Sequence, residues 1–212
     1  MMHTGTARIG GFQHADAELP TTAKIILPVI HAELEKLPRA SIVADAGCGN
    51  GSMLAELRAY GFELHGLEVS ESGLRFARKA FAGIDFSYAD LTADLSSHAL
   101  AGRCDVVIST EVVEHLFLPR IFARNCFRLL KSGGQLILST PYHGYLKNLA
   151  LALTGKLETH FTALWDHGHI KFWSRRTLSA LLTEAGFQVT GFHGVGRIPY
   201  LWKSMILTAQ KP

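Results

Sequence analysis

The hydrophobic period switches repeatedly along the chain. After a polar, glycine-containing lead, an apolar stretch over residues 21–37 reads as a helix stopped by Pro38. Short β-rich runs then alternate with segments of helical period. Residues 41–46 predict a first strand and 52–60 a helix, with Gly61 placed to end it in the left-handed conformation. Residues 62–68 predict the second strand, and Ser70 is a suitable N-cap for a helix running to Phe81 and closed by Gly83. Third and fourth strands follow over 84–89 and 104–110, a helix over 119–130 ended by Gly133-Gly134, and a fifth strand over 135–140. Beyond an irregular stretch, 174–185 is helical up to Gly186. Residues 187–195 and 200–210 then read as an antiparallel hairpin around a Gly/Pro turn.

Strand–helix alternation of this kind calls for an α/β fold, a doubly wound and mostly parallel sheet with helices on both faces. Ligands on such sheets sit at the carboxyl ends of the strands. The expected organisation is one domain over 1–212, with 1–40 as an N-terminal lead and helix and 141–173 as a small helical insertion capping the strand ends.

Composition narrows the class without choosing a function. Hydrophobic residues make up 48% and charged residues 18%, a globular balance. The formal net charge of +3 comes without a dense basic stripe (Lys171, Arg175 and Arg176 form the one notable cluster), so a nucleic-acid partner is not expected. Three cysteines, an odd number, argue against a disulfide framework and for a reducing compartment. Residues 1–20 lack the pattern of a signal peptide, and no apolar run approaches the ~20 residues that span a bilayer. The expectation is a cytoplasmic protein.

The sharpest signal is Asp45-Ala46-Gly47-Cys48-Gly49-Asn50-Gly51, between a strand and a helix. Three glycines allow a tight turn and let a bulky ligand approach the backbone. Their spacing differs from the dinucleotide fingerprint, and a carboxylate at position 45 would repel a pyrophosphate, so a nicotinamide oxidoreductase is set aside. Asp45 suits a ligand bearing an ammonium group. Glu68, ending the second strand, is placed to accept from both ribose hydroxyls, and Asp90, ending the third, from the exocyclic amine of adenine.

These residues resemble the class I S-adenosylmethionine-dependent methyltransferases, and among them the ubiquinone-biosynthesis O-methyltransferases and related small-molecule enzymes. The resemblance covers about residues 40–210. It rests on Val43 to Gly51, on Gly66-Leu67-Glu68-Val69-Ser70, on Asp105 to His115, and on Leu130-Lys131-Ser132-Gly133-Gly134, where Ser132 stands in place of a common proline. It implies a seven-stranded sheet with an antiparallel last strand. It also implies S-adenosylmethionine as cofactor, with S-adenosylhomocysteine as product. The expected cofactor site comprises Asp45, Gly47, Cys48, Gly49, Gly51, Glu68, Val69, Asp90, Leu91, Thr110 and Glu111.

The acceptor is expected to be a small molecule, methylated most naturally on a hydroxyl oxygen. Base-methylating relatives carry an (Asp/Asn/Ser)-Pro-Pro-(Tyr/Phe) motif after the fourth strand, where this chain reads Ser109-Thr110-Glu111-Val112. Residues 1–20 and 141–173 are expected over the strand ends. The second segment interleaves aromatic residues and histidines, which suits an aromatic or lipophilic acceptor. A phenol needs a base, and three histidines are candidates: His115, five residues past Thr110 with Glu111 and Glu114 close by to orient or tune it, then His143, then His169. His167 and His169 beside Asp166 are too few for a metal centre without a third ligand placed by the fold, and no metal is assigned. The apolar stretch 145–157, with lysines near both ends, could form a lid helix that also rests on a bilayer. Two readings stay open beside this one: an inactive S-adenosylmethionine-binding regulator or partner, and methylation of a nucleic acid or a protein.

Overall fold

The computed structural model describes Asp16 and residues 18–212. Strands β1 (Ile42–Ala46), β2 (Glu63–Glu68), β3 (Asp85–Tyr88), β4 (Cys104–Thr110), β5 (Leu130–Pro141), β6 (Gln188–Val195) and β7 (Ser204–Gln210) form one sheet ordered β3-β2-β1-β4-β5-β7-β6. Neighbours are parallel except β7, which runs antiparallel to both β5 and β6. The chain moves outward from β1 to β3 and then crosses back to place β4 on the other side of β1. That reversal opens a crevice at the carboxyl ends of β1 and β4, where a ligand can enter between diverging loops.

Side-chain alternation along the inner strands builds two cores. Val43, Val106, Ile108, Ile137 and Ile206 face one side, against Ile26, Ile30 and Leu34 of α1 (Thr21–Leu34) and Leu74 and Ala77 of α3 (Glu71–Ala80). Ala44, Val107, Leu136, Leu138 and Leu207 face the other, against Phe122 and Leu129 of α4 (Pro119–Leu129) and Leu178 and Leu182 of α7 (Arg175–Glu184). A strand buried on both faces reads as a nearly continuous apolar run, as Val106–Ile108 of β4 and Leu136–Leu138 of β5 do.

Several boundaries differ from those the hydrophobic pattern predicts. The helix expected over 52–60 is broken into α2 (Ser52–Ala55) and a 3₁₀ turn, Arg58–Tyr60, before Gly61 at φ 75°. Leu54 and Leu57 are both fully buried, and their three-residue spacing meets the core on the tighter helix. The first helix stops at Leu34, with Leu37 N–H closing a turn on the Leu34 carbonyl. β5 starts at Leu130, because Leu130 pairs with Cys104 before a register shift; the Gly133-Gly134 pair therefore lies within the strand rather than ending the helix. β7 begins at Ser204, so residues 196–203 form the turn of the hairpin. The irregular stretch after β5 contains α5 (Tyr145–Leu153) and α6 (Leu157–Phe161).

Candidate active site

The glycine turn leaves β1 at its carboxyl end with Gly47, Gly49 and Gly51 at φ 89°, 54° and 79°. Gly47 also has no room for a side chain, since a Cβ there would lie 2.5 Å from Val112 Cγ2. The turn is tied to β2 through Gly47 N–H and Cys48 N–H, both donating to the Leu67 carbonyl. Asn50 Nδ2 donates to the carbonyls of Asp16 and Glu18, so the described part of the N-terminal segment crosses this turn. The remainder of the predicted 1–20 contribution, residues 1–15 and 17, lies outside the described residues.

Asp45 is 1% exposed and its Oδ1 has no hydrogen-bond partner. Burial, and secondarily the Glu68 carboxylate, push its pKa up to about 7. A buried, unpartnered carboxylate oxygen is costly unless a cation or donor meets it. The ammonium of S-adenosylmethionine is such a group, and with the open glycine turn the residues present fit that cofactor.

Glu68 departs from the expectation. Its Oε2 accepts from Gly49 N–H at 2.8 Å, and its Oε1 from Val69 N–H at 2.8 Å and Ser70 N–H at 2.7 Å. A carboxylate offers about four lone-pair directions, which leaves one for a ribose hydroxyl rather than two acceptors for both. Glu68→Ala would remove the shared acceptor of three backbone N–H groups, those of Gly49, Val69 and Ser70. The expected result is a drop in thermal stability of about 2–4 kcal/mol together with weaker cofactor binding, read by calorimetry; Glu68→Gln, which keeps one acceptor, should fall between. Unchanged melting of a folded Glu68→Ala would contradict this role.

Asp90 lies two residues past the end of β3, with Oδ1 accepting from Thr92 N–H and Thr92 Oγ1. Leu91 and Cys48 turn their side chains into the two cores, so only their backbones are free to meet a ligand. Val69 is half-buried at the turn into α3. Thr110 ends β4 in register with Ser139, and Glu111 follows at φ 55°.

The left-handed turn at Glu111 sends its side chain toward β5 and β7. Its Oε1 accepts from Ser139 Oγ at 2.9 Å and its Oε2 from Ser204 Oγ at 3.2 Å. Burial raises its pKa to about 7, against the opposing effect of those two hydroxyls and of Lys203 and Lys147. Glu111 therefore does not orient His115, contrary to the expectation from sequence proximity. Backbone carbonyls do so: His115 Nδ1 is 3.0 Å from His167 O and 3.1 Å from Gly168 O. Carbonyl oxygens only accept, so in the neutral ring the hydrogen sits on Nδ1 and Nε2 carries the lone pair.

Nε2 lies 3.9 Å from Glu114 Oε1, a buried carboxylate oxygen without a hydrogen-bond partner. Thr140 Oγ1 donates to the other oxygen, Oε2, at 3.0 Å. Ile170 N–H and Lys171 N–H donate to the Glu114 backbone carbonyl, which pins the His169 segment beside it. The His115 and His169 rings are 4.9 Å apart, and one ligand atom each from Glu114, His115 and His169 falls within 4.8 Å of the others. The fold thus supplies the third ligand that sequence left unplaced. It does so with Glu114, while His167 contributes its backbone carbonyl to His115. Burial lowers the His169 pKa to about 4, with the neighbouring His115 adding to the effect, so its ring is neutral near pH 7.

His143 is in an adjoining group. It is buried with Nδ1 unpartnered, packed among His160, Phe161 and Phe172, and burial lowers its pKa to about 4. Lys147, which the sequence reading did not single out for the site, is 4% exposed; its Nζ donates to the Tyr142 carbonyl, and burial followed by the Arg197 charge lowers its pKa to about 8. The available signal was its position as the one charged residue inside an otherwise apolar helix.

Sheet order, antiparallel β7, the glycine turn and a cationophilic carboxylate at the end of β1 together define a class I S-adenosylmethionine-dependent methyltransferase. A family model described as a methyltransferase domain matches residues 19–191, and the chain belongs to that family. It is similar to the ubiquinone biosynthesis O-methyltransferase of Caulobacter vibrioides, 32% identical over 161 residues that cover 73% of this chain and 62% of that one. It is also similar to the enzyme of that name from Pseudomonas aeruginosa (strain LESB58), 30% identical over 155 residues covering 72% and 67%. The chain thus spans about two thirds or less of the length of these relatives. A solved S-adenosylmethionine-dependent methyltransferase from Methanosarcina mazei shares the fold, with a TM-score of 0.65 at 20% identity over 87% of this chain and 97% of that one. S-adenosylmethionine is the methyl donor, and among the described residues no helix is long and apolar enough to cross a membrane.

Proposed function

We propose that this enzyme methylates a hydroxyl oxygen of a small aromatic acceptor, with His115 Nε2 as the base. The observation that carries the reading is the pair of carbonyls on Nδ1, which presents the basic nitrogen at the carboxyl end of β4. The name of the curated relatives, O-methyltransferases, supports the same reaction class.

S-adenosylmethionine, when bound, supplies a sulfonium methyl carbon open to in-line displacement. Asp45 would hold its ammonium group, the Gly47–Gly51 turn would admit it against the backbone with Cys48, and Glu68 with Val69 would take the ribose. Asp90 and Leu91 would meet the adenine, and Thr110 with Glu111 would close the site from β4. Residues 141–173 would cap the acceptor within one methyltransferase unit formed by the chain. There the main contribution is alignment, since a well-placed nucleophile needs little further help. His115 Nε2 takes the phenolic proton as the oxygen becomes nucleophilic, and the carbonyls of His167 and Gly168 stabilise the resulting imidazolium. His143 and His169, neutral near pH 7, stand behind His115 as alternative bases. An acceptor screen with labelled cofactor, comparing catechols, other phenols, sugars and fatty acids, tests the reading. Transfer to a carboxylate or to a carbon acid would sink it.

A second reading is favoured by the proximity of the Glu114, His115 and His169 ligand atoms. A divalent cation held there would lower the acceptor's pKa by direct coordination, in place of a base. Chelator-treated protein should then lose turnover and regain it with magnesium, manganese or zinc. Full turnover after chelation would remove this second reading and leave His115 as the base.

A further inference from the structure

Lys147 reverses the situation of Asp45. Its side chain is buried in α5, and Nζ uses one of its three N–H donors, on the Tyr142 carbonyl at 2.7 Å. Among the described residues it forms no ion pair. The carboxylate that acts on it, Glu111, is engaged by the hydroxyls of Ser139 and Ser204. A buried ammonium without a counterion is costly, and such groups are normally paired. Two imidazole nitrogens in its field also lack hydrogen-bond partners: His143 Nδ1 and His160 Nε2, both buried, on rings 5.3 Å apart. Arg197, in the β6–β7 turn, acts on both Lys147 and His160 and likewise forms no ion pair among the described residues. Buried polar atoms in a native fold find partners, so a group of this kind calls for an occupant.

Four elements converge there: α5 through Lys147, the turn before it through His143, α6 through His160 and the hairpin turn through Arg197. All four bring positive charge or a donor, since a neutral imidazole can carry its hydrogen on the unpartnered nitrogen. Phe161 and Phe172, with rings 4.7 Å apart, both pack on His143 and wall the group with aromatic surface. His169 connects the group to the base: its ring is 4.9 Å from that of His115, and it contributes to lowering the pKa of His143. We propose that this cluster binds the carboxylate of a hydroxyaromatic acid, Lys147, His143 and His160 donating to its oxygens and Arg197 adding attraction, so that the enzyme selects acidic phenols over neutral ones. A carboxylate offers about four acceptor positions, enough for these donors, and charge-assisted hydrogen bonds are the strong ones. Burial lowers the Lys147 pKa to about 8, which leaves the ammonium mostly charged near pH 7. The phenolic hydroxyl rests on the function proposed above; the preference for an anion does not depend on which atom is methylated.

The test is calorimetric binding of gallate, methyl gallate and pyrogallol to the protein loaded with S-adenosylhomocysteine, for the wild type, Lys147→Met and Arg197→Gln. The three probes share one ring and carry a carboxylate, its uncharged ester and a hydrogen. Wild type should bind gallate at least about tenfold more tightly than either of the others. Lys147→Met should bring that ratio close to one. Arg197→Gln should lower it by about two- to threefold, because an exposed charge is screened. Where Lys147→Met does not fold, Arg197→Gln decides, since its position is exposed. Equal affinity for acid and ester, a preference untouched by both variants, or no binding of gallate would each overturn the proposal, the last two leaving water alone among the buried donors. Methyl transfer to the same probes, followed with labelled cofactor, separates this proposal from the reading it builds on. A gallate preference without transfer to any probe would sink the hydroxyl reading and leave the anion site standing; transfer to all three at equal affinity would do the reverse.

Discussion

His115→Asn should lower turnover by about 10²–10⁴ while leaving S-adenosylmethionine affinity within about twofold of the wild type. Asparagine is chosen because its amide nitrogen can replace Nδ1 as donor to the His167 and Gly168 carbonyls, so the loop that packs on the ring keeps its contacts. What it removes is Nε2, the basic atom. Deletion by alanine would free both carbonyls as well and mix a structural loss with the chemical one. If the base reading holds, the residual rate of the asparagine variant should rise with pH, as hydroxide or spontaneous ionisation of the phenol takes over. Acceptors of lower phenolic pKa should suffer less from the substitution. Unchanged turnover would end the assignment of His115 and move attention to His143. If turnover instead falls equally for Glu114→Gln and is restored by added cation, the metal reading gains over the base.

Asp45→Asn should have two effects of opposite sign: loss of cofactor binding by about a hundredfold or more, and a gain in stability of the ligand-free protein at pH 8. The loss follows from removing the charge that meets the ammonium group. The gain follows from linkage. Burial, then Glu68, raise the folded-state pKa of Asp45 from 3.8 to about 7. A carboxyl group raised in the folded state contributes its full share of stability below the unfolded pKa and loses it as pH climbs through the folded one. Between pH 4 and pH 8 the wild-type protein therefore gives up stability that an uncharged isostere does not. About three pKa units correspond to about 4 kcal/mol as an upper bound, and the imperfectly satisfied amide reduces the expected gain to about 1–3 kcal/mol, several degrees in melting temperature. Near pH 4 the two proteins should melt together. The same linkage makes wild-type cofactor affinity rise as pH approaches 7, since Asp45 must ionise to pair with the ammonium. Calorimetric titration and melting curves across pH 4–8 check both signs; pH-independent affinity, or an asparagine variant less stable at pH 8, would contradict the argument.

These effects share a design in which function is placed where folding alone would not place it. Buried Asp45 and Glu114 and half-buried Glu111 are three carboxyl groups with raised pKa values at one end of the sheet. Hydrogen bonds from Ser139, Ser204 and Thr140 offset the cost for two of them. Asp45 Oδ1 has no such compensation, which is why the cofactor's cation is the expected partner there.

Much of this was legible in the residues themselves because it depends on short-range patterns. Alternation of period specifies strands and helices, and each of the seven strands falls within a few residues of its predicted place. Glycines at 47, 49 and 51 announce a turn whose positive φ values no other residue adopts cheaply, and Asp45 beside them announces the sign of the ligand's charge. Those features need no knowledge of what lies across the molecule. Tertiary structure decided the rest, where side chains far apart in sequence meet. Glu111 and Glu114 are both close to His115 along the chain, yet the left-handed turn at Glu111 sends one carboxylate to Ser139 and Ser204 while the other stays beside Nε2. The ring itself is set by carbonyls more than fifty residues away. His169 joins His115, whereas its sequence neighbour His167 offers only backbone. Lys147 turns inward, where its Nζ donates to the Tyr142 carbonyl and the Glu111 carboxylate favours its charge, and four apolar neighbours turn outward. Local pattern determines which elements form. Which atoms of them meet is settled only when the sheet closes and each buried polar group has to find its partner.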